Sequence, residues 1–180
     1  MKATKVLATD LDRTLLPNGR WPKDSGAIDL FNTLTEKHGV HVVYVTGRSL
    51  SLTEAAIKEF GVRNPHILIS DVGTAIRRFD GDGWEPDTGW EAHVRRTSPG
   101  WDAEAVRRAL GNIDGLVEQE REHCGPFKQS YYVEHAERDA VLETVDQRVK
   151  GQFDEVIIYS FDSESGDGLL DLLPQSATKQ

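Results

Sequence analysis

The sequence predicts an α/β fold: a doubly wound, Rossmann-like parallel sheet that carries an inserted α+β segment. Two observations predict it. Up to Ser70, short apolar runs alternate with stretches of helical spacing, which is the pattern of βαβ units around a parallel sheet. From Ala75 onward the pattern is mixed, with a hairpin-like pair of runs, two helical stretches and further strand-like runs. That mixture marks an α+β insert rather than more of the same sheet.

The elements follow in order. Lys5–Asp10 is a short apolar run ending in charge and reads as a buried parallel strand. Gly19–Lys23 reads as a loop. Asp24–His38 sets Ile28, Phe31, Leu34 and Thr35 at helical spacing, with Gly39 where a helix would stop. Val40–Thr46 is β-branched and apolar, a second strand. Ser51–Phe60 is a helix closed by Gly61, and His66–Ser70 is a third strand. Ligands of such sheets bind beyond the carboxyl ends of the strands. Asp10, Thr46 and Ser70-Asp71 all fall at those ends.

Ala75–Phe79 and Trp84 flank Asp80-Gly-Asp-Gly, a hairpin signal. Trp101–Ile113 is a helix, and Leu116–Gln119 and Phe127–Glu134 are strands. Ala136–Lys150 is a helix with Val141, Val145 and Val149 on one face. Val156–Phe161 and Leu169–Leu173 are strands separated by the polar turn Asp162–Gly168. The last strand is expected to return to the parallel sheet. The domain expectation is therefore a core of residues 1–78 and 166–180, with residues 79–165 as the insert.

Composition excludes several classes. Of the 180 residues, 38% are hydrophobic and 28% charged, as in an ordinary soluble domain with a substantial core. The formal charge of −9 argues against nucleic acid or an anionic membrane as partner. The chain has one cysteine, Cys124, which fits a reducing, cytoplasmic setting. No apolar leader precedes Val6, and no window nears the roughly 18 apolar residues of a membrane span.

Four motifs are the candidates for chemistry. Asp10-Leu11-Asp12-Arg13-Thr14 sets two carboxylates on the loop above the first strand. One can attack phosphorus, and the other can protonate a leaving oxygen and later deprotonate water. A Mg²⁺ ion is required, since two carboxylates would otherwise repel a phosphate dianion. Thr46-Gly47-Arg48-Ser49 offers a hydroxyl, a glycine for close backbone approach and a nearby helix start, which together make a phosphate-binding corner. Ser70-Asp71-Val72-Gly73-Thr74 reads as a turn, with Gly73 supplying backbone freedom. Lys179, after Asp171-Leu172-Leu173-Pro174-Gln175, could neutralise phosphate.

In this order the motifs resemble the haloacid dehalogenase superfamily of phosphatases. More narrowly the chain is similar to sucrose-phosphate phosphatases and their relatives, including mannosyl-3-phosphoglycerate phosphatases. The resemblance rests on Thr9–Leu15, Tyr44–Leu50, Val72–Ile76, Lys128–Val133, and Ile157–Ser160 through Gln175. It implies Asp10 as nucleophile and Asp12 as general acid/base. It also implies Mg²⁺ held by Asp10 and the carbonyl of Asp12, phosphate held by Thr46, Gly47 and Lys179, and Arg48 at the entrance. Lys128 and Ser130 match the segment that contacts sugar hydroxyls. The family also carries a later Gly-Asp-x-x-x-Asp motif that completes the metal site. Gly166–Asp171 has that spelling but precedes the lysine segment, so it is not read as that motif. The core is accordingly expected to be completed by a longer parent chain or a homodimer.

The leading functional expectation is a Mg²⁺-dependent hydrolase of a sugar phosphate such as sucrose 6-phosphate. A second is a sugar-phosphate-binding or regulatory module without turnover, and a third is a phosphosugar mutase. The paired carboxylates favour the first, because a binder has no need of two so close together.

Overall fold

Three short strands, β1 (Lys5–Thr9), β2 (Val40–Val45) and β3 (Ile67–Ser70), run parallel and side by side in this computed structural model. The structure describes residues 4–19, 24, 26–161 and 166–178. A hairpin of β4 (Ala75–Phe79) and β5 (Trp84–Pro86) continues the sheet antiparallel to β3, giving the order β1-β2-β3-β4-β5. The crossovers are helices α1 (Ala27–Lys37) and α2 (Leu50–Phe60).

Both crossovers step in the same direction along the sheet, so chains of one handedness place both helices on one face. The packing agrees. Val42, Tyr44 and Leu68 are 0% exposed and share a core with Ile28 of α1 and Ala56 of α2. Helix α2 begins where the Ser49 hydroxyl accepts the Leu52 N–H, and it ends at Gly61, whose φ of 67° few other residues adopt cheaply. The α/β class is as the alternating pattern predicts. β1 lies at an edge of the sheet, and its Val6 and Leu7 are 64% and 40% exposed.

Helix α3 (Thr88–Thr97) has no counterpart among the expected elements. Of its ten residues only Val94 is buried, so no apolar stripe announces it. The chain divides into two compact units inside this helix, between Trp90 and Glu91. The expected boundary at residue 79 is therefore corrected. The hairpin belongs to the first sheet because Ile76 and Ala75 pair with Ile69 and Ser70.

The second unit contains helices α4 (Ala103–Leu110) and α5 (Arg138–Val149). Its sheet comprises β6 (Leu116–Glu118), β7 (Gln129–Glu134), β8 (Glu155–Phe161) and β9 (Asp167–Pro174), in the order β6-β7-β9-β8 and antiparallel throughout. The expectation that Leu169–Leu173 returns to the first sheet is corrected here. β9 is hydrogen-bonded on one side to β8 and on the other to β7, with Leu170 and Leu172 fully buried beside Val145 and Val149 of α5. A strand one short connection away is also the cheapest partner in loop entropy. Residues 162–165 of the expected turn, and residues 20–23 of the expected first loop, lie outside the described residues. Gly168 sits where a Cβ would come 2.4 Å from the Val133 carbonyl oxygen, so only glycine lets β7 and β9 approach as they do.

Candidate active site

Asp10 follows the last residue of β1, and the register Thr9↔Tyr44 sets it beside the end of β2. The loop after it coils on itself. The Leu11 carbonyl accepts from the N–H groups of Thr14, Leu15 and Leu16, and the Leu11 and Leu16 side chains are buried in the core. The apolar residues of the motif thus anchor it, which leaves the alternate aspartates at the surface of the loop. Asp10 Oδ1 accepts the Leu11 N–H at 2.8 Å.

The side chain of Arg48 grips the second aspartate. Its Nε donates to both carboxylate oxygens of Asp12, at 3.1 and 2.9 Å, and Nη2 donates to Oδ1 at 2.6 Å. Asn18 Nδ2 adds a bond to the same oxygen at 2.5 Å. Partial burial opposes charge on Asp12. The bonds from Arg48 and Asn18 outweigh it and hold the carboxyl below its usual range. The bond to Asp12 in turn raises the pKa of Arg48. The side chain expected to line an entrance is bonded to Asp12.

Thr46 closes β2 and is fully buried. Its N–H donates to the Ile69 carbonyl, and its hydroxyl oxygen accepts the Arg48 N–H at 3.2 Å. Gly47 is exposed, and a Cβ there would meet only Val72 Cγ2, at 3.9 Å. The protein's own packing does not demand glycine at this turn. Asp71, just past β3, is 7% exposed and accepts from the Ser70 hydroxyl at 2.7 Å. Asp10, Asp12, Thr46, Gly47 and Arg48 therefore gather at one end of one sheet. Lys179 lies outside the described residues. Asn18 escapes sequence reading because it sits in a loop with no periodicity.

Lys128 and Ser130 belong to the second unit. Ser130 stands opposite Asp171 in the β7–β9 register and donates to Asp171 Oδ1 at 2.5 Å. Lys128 Nζ lies 4.0 Å from the same oxygen, and the residue is 4% exposed. Asp171 was absent from the expected site. Its signal was a charge inside the apolar run Leu169–Leu173, since such a charge needs a partner.

For a metal, the first unit offers hard oxygen donors: the Asp10 carboxylate and the backbone carbonyl of Asp12. That donor chemistry suits Mg²⁺, which relies on one or two carboxylates together with substrate oxygens and water. Among the described residues no group of three His, Cys, Asp or Glu side chains converges to hold an ion. None of the described helices is long and apolar enough to cross a membrane.

The profile of the sucrose-6F-phosphate phosphohydrolase family matches residues 3–180. The chain belongs to that family. Sucrose-phosphatase 1 of Nicotiana tabacum is 32% identical over 181 residues, covering 98% of this chain and 40% of that protein. The mannosylfructose-phosphate phosphatase of Agrobacterium fabrum is 25% identical, covering 99% of this chain and 67% of that protein. The chain spans less than half the length of several curated relatives, 49% and 40% in two of them. A sucrose-phosphatase from Synechocystis, solved with sucrose and phosphate, superposes with a TM-score of 0.71 at 22% identity, covering 98% of this chain and 66% of that one. That likeness is one of fold. Membership of the sucrose-6F-phosphate phosphohydrolase family thus spans both units of the chain.

Proposed function

We propose that this chain bears the nucleophile of a Mg²⁺-dependent phosphomonoester hydrolase that acts on a sugar phosphate resembling sucrose 6-phosphate. The reading is carried by the Asp10/Asp12 pair at the end of β1, with Asp12 clamped by Arg48 beside the Thr46–Gly47 turn. The names of relatives in the same family support the substrate class.

In this reading the Asp10 carboxylate attacks phosphorus and forms an aspartyl phosphate as the sugar alkoxide leaves. Asp12 gives that oxygen a proton, then takes one from the water that hydrolyses the phosphoenzyme. Thr46, Gly47 and Lys179 hold the phosphate, and Arg48 orients Asp12. Lys128 and Ser130, with Asp171, recognise sugar hydroxyls. The Asp10 carboxylate and the Asp12 carbonyl would hold Mg²⁺, which when bound neutralises phosphate charge.

A second reading, a sugar-phosphate-binding module without turnover, draws on the grip of Arg48 and Asn18 on Asp12, which keeps the acid/base ionised. The deciding experiment assays phosphate release from sucrose 6-phosphate by the protein carrying this chain, with Mg²⁺ and with EDTA. Release that EDTA abolishes is the expected result. Tight binding of the sugar phosphate without release would favour the second reading.

A further inference from the structure

The Ser70–Thr74 segment takes no part in the chemistry described above, yet its backbone is unusual. Asp71 and Val72 have φ of 54° and 60°, two successive non-glycine residues in the left-handed region, followed by Gly73 at 98°. Asp tolerates this conformation through local hydrogen bonds, but β-branched valine adopts it rarely. Strain of this kind persists where surrounding structure fixes it, and it clusters at functional sites.

The surroundings here are specific. The Asp71 carboxylate accepts from Ser70 Oγ at 2.7 Å, and Arg77 Nη1 lies 3.6 Å from it while donating to that same hydroxyl. The Asp71 carbonyl accepts from the Thr74 hydroxyl at 2.8 Å. Side chain and carbonyl are thus both pinned.

The conformation changes where two N–H groups point. In an extended strand successive N–H groups face opposite sides, whereas in a helical conformation of either hand they face the same way. Here the Asp71 N–H donates to the Arg48 carbonyl at 2.8 Å and the Val72 N–H to the Thr46 carbonyl at 3.3 Å. Both N–H groups therefore fasten the Thr46-Gly47-Arg48 turn, and Val72 Cγ2 faces Gly47.

We infer that Asp71 is a positioning residue: with Val72 it forms a strained backbone latch that holds the Thr46–Arg48 turn in the shape that receives phosphate. The turn is then fixed from two sides, by the latch on its carbonyls and by Asp12 on the Arg48 side chain. This inference rests on the proposed function, because phosphate binding at that turn belongs to it.

The test is the affinity for inorganic phosphate, measured by calorimetry at equal folded concentration, with a thermal melt of each variant. Asp71→Val places a β-branched residue in the left-handed region and should weaken phosphate by about tenfold. Asp71→Asn, which keeps a residue at home in that region, should stay within about threefold of the starting protein. A role confined to stability would lower the melting temperature of Asp71→Val and leave its phosphate affinity unchanged, and that result overturns the inference. Asparagine failing as badly as valine also overturns it, since the charge rather than the backbone would then matter. Should Asp71→Val not fold, Val72→Gly decides, because it relieves strain and frees the latch. Weakening by about tenfold is expected there, and affinity within about threefold of the starting protein refutes the latch. An unsubstituted protein that does not bind phosphate sinks both the proposed function and the latch, whereas equal binding by that protein and Asp71→Val sinks the latch alone.

Discussion

Arg48 and Asp12 stand 36 residues apart in the chain, yet the guanidinium of one spans both carboxylate oxygens of the other. This fork ties the turn after β2 to the loop after β1. A lysine keeps the charge but not the planar pair of donors. Arg48→Lys should therefore lower stability by about 1 kcal/mol, a value kept small because Asp12 is 39% exposed and partly screened. Urea denaturation at constant slope measures it, and an unchanged midpoint refutes it.

Asp10→Asn should abolish phosphate release while leaving the fold intact, because an amide cannot form an acyl phosphate. The assay is sugar-phosphate hydrolysis alongside circular dichroism. Residual turnover above background in a folded variant would remove Asp10 from the nucleophile's role.

The buried charges of the second unit give a stability prediction. Asp171→Ala takes from Lys128 a carboxylate partner in a site where the lysine is 4% exposed, and should cost about 3 kcal/mol. Adding Lys128→Met should recover part of that loss. A double-mutant cycle on denaturation midpoints reads the coupling, and strictly additive effects would show that the two charges do not interact.

His66 supplies a pH dependence. Its Nδ1 accepts the Val42 N–H at 3.0 Å, and its ring lies 4.5 Å from that of His41. Burial, His41 and Arg63 together hold its pKa below the usual 6.5. Below 6.5 the unfolded chain takes up a proton that the folded ring resists. Its contribution to stability is thus fully present above that pH and is lost as pH falls through the folded value. Between pH 7.5 and 5.5 the starting protein should lose more stability than His66→Asn, whose amide oxygen still accepts from Val42. Equal losses would contradict this.

What the sequence made legible was whatever depends on local periodicity. Helices α1 and α2 follow from spaced apolar residues and from Gly61, and the three parallel strands follow from β-branched runs. The ends of those strands located Asp10, Asp12 and Thr46 without reference to tertiary contacts. What stayed hidden depends on partners distant in the chain. Nothing in Leu169–Leu173 names β7 and β8 as its neighbours, and an apolar strand suits either sheet. Helix α3 lacks the apolar stripe that would reveal it. Gly73 accounted for the turn after β3, so the left-handed backbone at Asp71 and Val72 left no further trace in the sequence.

Among the described residues β1 pairs with β2 alone, which puts it at the rim of the first sheet. Val6 and Leu7 present carbon to water on opposite faces of a strand that lies at the rim of its sheet. An edge strand with apolar side chains can template the growth of sheet from one molecule to the next. Lys5, at the head of that strand, is a charge placed to discourage it. A second charge at the exposed Val6 would oppose such growth from a position in the strand that precedes the aspartates.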